Sequence, residues 1–226
     1  MRDELAEQVA GIGALTEPTR RALYDYVAAQ PHAVSREQAA SAVDRPLHSV
    51  KFHLDRLVAD GLLEVEFRRL SGRTGPGAGR PAKLYRRASR EVSVSLPERR
   101  YDLVGDVLAT AIDHAMADSV PIADAVQDAA AAAGQQMTTT GEDDPTGSAL
   151  ERTARVLAGH GYEPRAAEDE VWLANCPFDR LAAEHRELVC GLNLALIGGV
   201  IDGLGASGLS AELTPRPGHC CVTVRG

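Results

Sequence analysis

The sequence predicts an α+β protein: an N-terminal winged helix-turn-helix, then a long linking and dimerisation helix, then an α+β sensor-like domain with a small antiparallel sheet. Three observations point there. Short helical patterns up to Gly61 give way to period-two alternation on either side of a basic, glycine-rich loop. A helical stripe then runs from about Pro97 through Met116. Beyond it, short helix and strand patterns alternate to the end of the chain. The expected division is 1–90 for the winged helix-turn-helix, 91–120 for the linker and dimerisation helix, and 121–226 for an acidic α+β sensor or effector domain.

Thr16-Glu17-Pro18-Thr19 supplies an N-cap, an acid for the first turn and a proline where a missing N–H costs little. Leu23, Tyr26 and Val27 follow at helical spacing, and Gln30-Pro31 ends that helix. Ser35 and Gln38 form a capping-box pair for a short helix to about Ala42. Asp44 is expected to cap a third helix, with Pro46 in its first turn and Val50, Leu54, Leu57 and Val58 as its inner stripe. Gly61 sits where a left-handed residue closes a helix. Leu62, Leu63, Val65 and Phe67 read as a strand, and Ala82-Lys83-Leu84-Tyr85 as its return. The loop between them, Ser71 to Pro81, holds four Gly and two Pro.

Charge is divided unevenly along the chain. The 226 residues carry a formal net charge of −8, which taken whole argues against a nucleic-acid binder. Residues 1–90, however, hold 15 basic and 11 acidic side chains, and residues 91–226 hold 9 and 21. Residues 68–90 contain eight basic side chains and no acid. A small polyanion-binding module joined to an acidic domain has this asymmetry.

"LTEPTRRALYDYV", "SVKFHLDRLVADGLLE" and "GRPAKLYR" together resemble the ArsR-type winged-helix transcriptional regulators, in particular the branch of iron–sulfur-assembly repressors. The resemblance implies a DNA-binding repressor whose third helix enters the major groove. Opposite that helix's apolar stripe lie Arg45, His48, Ser49, Lys51, Phe52 and Arg56. Arg45, His48, Ser49 and Lys51 are the expected groove contacts, and Phe52 either meets a thymine methyl or covers core. His53 is expected to be structural. Arg73 and Arg80 flank the loop tip and suit minor-groove or backbone contact, and Lys83, Arg86 and Arg87 suit phosphates. Partners are then double-stranded DNA with an inverted repeat and a second copy of the chain, with no membrane.

Glu91 to Leu96 alternates as a short strand or an extended link. The stripe after Pro97 comprises Tyr101, Leu103, Val104, Val107, Leu108, Ile112 and Met116. Residues 122–133 are helical by propensity, ending in five consecutive Ala before Gly134, and the polar run Gln135 to Gly147 is expected to be mobile. Further helices are expected around Leu150–Leu157, Leu181–His185 and Leu188–Leu204, and strands at 162–165, 171–174, 209–213 and 221–224.

All four cysteines fall in this second half: Cys176, Cys190, Cys220 and Cys221. Lone cysteines are commonly small buried hydrophobes. Convergence of a strand end, a helix and a final strand would instead assemble a soft-metal site, with His185 or His219 as a further ligand. In a strand, Cys220 and Cys221 would point to opposite faces, so only one would join that set. "NCPFDRLAAEHRELVC" resembles the segment that carries the first cluster ligands in the iron–sulfur-assembly repressors, and by position it implicates Cys176 and Cys190, with Cys220 or Cys221 as the late ligand. Those repressors have another cysteine between the second and the last, and residues 191–219 contain none. An iron–sulfur cluster, zinc, thiol oxidation and structural packing all stay open, as does no cofactor at all.

Other classes fare worse. The glycine-rich loop lacks a Gly-Lys-Ser/Thr ending and returns to a strand, so it is no phosphate cradle. No His-Glu-x-x-His or Gly-x-Ser-x-Gly occurs, and an enzyme is not expected. The chain opens on polar residues with no apolar signal segment, and its longest uncharged apolar stretch, Leu188 to Ile201, is 14 residues. That is too short for a membrane span, so a cytoplasmic protein is expected. A regulator binding a small organic effector, or a winged-helix scaffold for protein, are the alternatives.

Overall fold

The computed structural model describes residues 2–69, 81–139 and 146–226. Arg73, Arg80 and most of the glycine-rich loop lie outside the described residues, as do 140–145 of the polar run expected to be mobile. The chain divides into two compact units, Met1–Val94 and Ser95–Gly226.

The N-terminal unit begins with α1 (Arg2–Ala14), followed by α2 (Pro18–Ala28), β1 (Val34–Ser35), α3 (Arg36–Val43), α4 (Leu47–Ala59), β2 (Leu63–Arg68) and β3 (Ala82–Arg87). Glu17, not Thr16, caps α2: its carboxylate accepts the backbone N–H groups of Thr19 and Arg20 at 3.0 and 2.7 Å. The capping box on α3 forms as the sequence indicates, with Ser35 and Gln38 exchanging bonds. Asp44 closes α3 from the left-handed region (φ 50°) and does not cap α4, whose N-cap Pro46 makes no side-chain cap bond. Gly61 is left-handed beyond α4, at φ 72°. The strands form an antiparallel sheet in the order β1-β3-β2. Leu23, Val27, Val50, Leu54, Leu57, Leu63 and Tyr85 fill the core.

The C-terminal unit contains α5 (Tyr101–Asp118), α6 (Ile122–Met137), α7 (Ala149–Ala158), β4 (Pro164–Ala166), β5 (Glu170–Leu173), α8 (Asp179–Glu184), α9 (Arg186–Gly203), β6 (Ser210–Leu213) and β7 (Val222–Arg225). Residues 91–96 form no strand. Val104, Val107 and Ala111 of α5 sit in the same core as α6 and α9. The sheet is antiparallel in the order β4-β5-β7-β6. The alanine run does not stop at Gly134; α6 continues to Met137. Gly134 and Gly199 let α6 and α9 touch backbone to backbone. A Cβ on Gly134 would fall 1.9 Å from the Leu196 carbonyl, and one on Gly199 would fall 2.0 Å from that of Ala131. No helix among the described residues is long and apolar enough to cross a membrane.

Candidate functional site

In the N-terminal unit, α3 and α4 are joined by Asp44, Arg45 and Pro46. The Asp44 N–H makes the last α3 ladder bond to the Ala40 carbonyl, which the Arg45 N–H also reaches at 3.2 Å, and the left-handed Asp44 redirects the chain. Helix α4 divides cleanly into two faces. Val50, Leu54 and Leu57 are buried, whereas Arg45 before it and His48, Lys51, Phe52 and Arg56 along it are exposed, with Ser49 half-buried. Phe52 is 67% exposed, with only the edge of His53 against its ring, so it does not cover core. His53 turns inward, its Nδ1 3.5 Å from Glu17 Oε2, and so faces the cap of α2. Burial works against the Glu17 charge, but the two backbone N–H bonds outweigh it and hold the carboxyl below its usual range.

The basic side chains differ in how they are engaged. Lys83 of β3 bonds Asp55 of α4 at 2.5 Å and lies over the Tyr85 ring, and the Tyr85 hydroxyl donates to the same carboxylate oxygen at 3.1 Å. Burial pushes the Asp55 carboxyl up, but the Lys83 and Tyr85 bonds win and hold it below the ordinary range. Burial and then the Asp55 charge raise the Tyr85 hydroxyl. Lys83 thus straps the hairpin to α4. Arg56 pairs with Asp60 and Arg86 with Glu64, both at 2.9 Å. The Arg86–Glu64 pair is exposed on both sides and so worth about 0.2–1 kcal/mol, and Arg86 can exchange its carboxylate for a phosphate at small cost, whereas the Asp60 side chain that holds Arg56 is only 7% exposed. Lys51 and Arg87 are exposed and have no ion pair among the described residues.

The cysteines of the C-terminal unit line one cavity of about 900 Å³, shared with Asn175, Arg186 and His219. Cys176 follows β5, Cys190 lies in the first turns of α9, and Cys220 and Cys221 precede β7. Because the last two stand in the turn before β7 and not within it, strand alternation does not separate them. The Cys220 sulfur accepts a hydrogen bond from Asn193 Nδ2 at 3.1 Å. Asn193 is in turn held by the buried Tyr162 hydroxyl, which donates to its Oδ1. Interaction with the Cys176 and Cys221 thiols, against the cost of burial, brings the Cys220 thiol down to about 3. Interaction with Cys220, together with burial, raises the Cys176 and Cys221 thiols far above the ordinary range.

This geometry corrects the expected cofactor. Among the described residues, no group of three or more His, Cys, Asp or Glu could hold a metal ion. His185 is exposed between α8 and α9, and His219 is committed to the Pro217 carbonyl at 2.9 Å and to the Trp172 ring. Neither zinc nor an iron–sulfur cluster is supported. Sequence reasoning missed Asn193, Tyr162 and Asn175. The polar Asn193 inside the apolar stretch Leu188–Ile201 was the available signal.

Two helices across a three-residue turn, with a hairpin strapped to the second, define a winged helix-turn-helix domain. Residues 15–66 match the family described as "Helix-turn-helix domain". The N-terminal unit is ArsR-like in this general sense, and the match does not single out the iron–sulfur repressor branch. A domain of this kind is a non-catalytic regulatory module and supports a DNA-binding role. No curated protein and no solved structure matches the chain.

Proposed function

We propose that the protein is a sequence-specific, DNA-binding transcriptional repressor that acts as a homodimer on an inverted repeat and answers a chemical signal through the thiols of its C-terminal unit. One observation carries the DNA reading: α4 buries Val50, Leu54 and Leu57 and presents His48, Lys51, Phe52 and Arg56 outward on its other side. In this reading Arg45, His48, Ser49 and Lys51 meet base edges, and Phe52 meets a thymine methyl. Arg56, Arg86 and Arg87 hold phosphates, Lys83 does so when released from Asp55, and Arg73 and Arg80 serve the wing tip.

The test is an anisotropy titration of the full chain against a duplex selected from a random-sequence pool, repeated from about 50 to about 200 mM salt. Affinity should fall linearly on a log–log plot, and Arg87→Ala should lower the slope by about 1. Salt-insensitive or absent association would move the winged helix to the class of protein-binding scaffolds. The cavity of about 900 Å³ supports a second reading, in which a small organic effector binds there and the cysteines only fill space. Cys176→Ala and Cys190→Ala proteins with unaltered DNA response would favour it.

A further inference from the structure

Cys220 Sγ accepts the Asn193 Nδ2–H at 3.1 Å, and the buried Tyr162 hydroxyl fixes that amide from behind. The other three thiols line the same cavity. Such a cradle stabilises charge on sulfur, and the thiolate is the form that attacks. The cavity brings solvent-borne reactants to the same group, since all four cysteines line it.

The choice of a second thiol follows from geometry. Cys221 is adjacent in sequence, and consecutive Cα atoms stand about 3.8 Å apart, shorter than the span disulfides adopt. Cys190 interacts with Cys221, whereas Cys176, from a separate segment, interacts with Cys220 within the same cavity.

We propose that Cys220 is a site of reversible oxidative modification: a hydroperoxide oxidises its sulfur, and Cys176 resolves the product to a Cys176–Cys220 disulfide. The Cys220 thiolate attacks the terminal oxygen of ROOH, the O–O bond breaks, and the departing alkoxide takes a proton from water and leaves as an alcohol. Cys176 then attacks the sulfenic sulfur. An S–S bond forms, the S–O bond breaks, and the hydroxyl leaves with the Cys176 proton as water. Two electrons pass from the two thiols to the peroxide.

The Cys176 turn is also clasped to residues 98–100, through which the chain arrives from the winged helix. Asn175 Nδ2 donates to the Glu98 carbonyl at 3.0 Å, Arg99 donates to Asn175 Oδ1 and to the Cys176 carbonyl, and the Arg100 N–H donates to the Pro177 carbonyl at 3.1 Å. Drawing Cys176 into a covalent bond disturbs that clasp, and DNA affinity changes with it. This last link rests on the DNA-binding reading; the thiol chemistry does not.

The experiment treats the reduced full chain with cumene hydroperoxide and follows free thiols and mass. Wild type should lose two of its four thiols, and tandem mass spectrometry of a digest should find Cys176 joined to Cys220. Cys176→Ala should instead accumulate a dimedone adduct on Cys220, and Cys220→Ala should react at least tenfold more slowly. Four persistent thiols in wild type, a different pairing, or an undiminished rate in Cys220→Ala each overturns the proposal, and the wild-type digest decides even if a variant misfolds. Reduced and oxidised protein are then titrated with DNA, with an expected difference of tenfold or more. A confirmed disulfide with unchanged affinity refutes the transmission step, whereas reduced protein that binds no DNA refutes the regulator reading and leaves the thiol result standing.

Discussion

Asp55 joins α4 to the β2–β3 hairpin through one carboxylate oxygen, which accepts from both Lys83 and Tyr85. Tyr85 is 1% exposed, so removing its acceptor strands a buried hydroxyl, a loss of about 1–3 kcal/mol. The Lys83 pair adds little, because both of its members are 40% exposed. Asp55→Ala should therefore destabilise the N-terminal unit by about 1–2 kcal/mol in urea unfolding, and Asp55→Asn, which can still accept from Tyr85, by less. The sign with pH follows from the lowered carboxyl. Its contribution is complete above the ordinary aspartate value of 3.8 and is lost as pH falls through the lower folded value. Wild type and Asp55→Asn should then converge in stability as pH drops below that lowered folded value. Divergence on acidification would show that the carboxylate is not stabilising. The Cys220 cradle is the residue-scale counterpart in the other unit, and it was less legible. Asn193 and Tyr162 are far apart in sequence, and no local pattern announces that one holds the other. Convergence of the cysteines could be anticipated from where strands and helices begin and end. Their pairing could not, because it depended on Cys220 and Cys221 lying in a turn before β7.

At the scale of elements, the local rules that worked are those closed within one turn of chain. The Ser35–Gln38 box, the Gly61 closure and the inner stripe of α4 all rest on contacts between near neighbours, and all formed. Asp44 failed because Asp serves both as an N-cap and as a left-handed terminator, and only the path of the following chain decides between them. Gly134 failed for a tertiary reason. Glycine after an alanine run reads as a stop, yet it stays helical where α9 approaches too closely for any side chain. A paired substitution tests this. Gly134→Ala places a Cβ 1.9 Å from a backbone carbonyl, which flexible side chains cannot relieve, so a loss of about 3 kcal/mol or more is expected. Gly198→Ala, on α9 itself, meets nothing within 4 Å and should stabilise by about 0.5–1 kcal/mol through helix propensity. Thermal melts should move in opposite directions; a neutral Gly134→Ala would mean that α6 and α9 do not touch as described.

Across the whole molecule, the two units have separate cores: the residues around Leu54 and Tyr85 form one, and those around Phe178 and Leu196 the other. Each core can therefore melt as its own cooperative step, and the proposed oxidation should bear on one of them alone. The only tryptophan, Trp172, lies on β5 with its ring centroid 4.7 Å from that of His219, and so reports on the C-terminal unit. Joining Cys176 to Cys220 closes a loop of about 45 residues, for which chain-entropy arguments give roughly 4 kcal/mol of stabilisation if the native geometry is unstrained. For a unit of this size, about 1 kcal/mol moves Tm by roughly 3–5 °C, so the tryptophan-detected transition should rise by about 10 °C or more after hydroperoxide treatment and return on reduction. The Asp55–Tyr85 unit contains no cysteine, and its transition, followed by circular dichroism and identified by its sensitivity to Asp55→Ala, should stay where it is. A tryptophan transition unmoved in protein that carries the disulfide would mean that the bond strains the cavity as much as it restricts the unfolded chain. A shift in both transitions would mean that the two cores unfold as one.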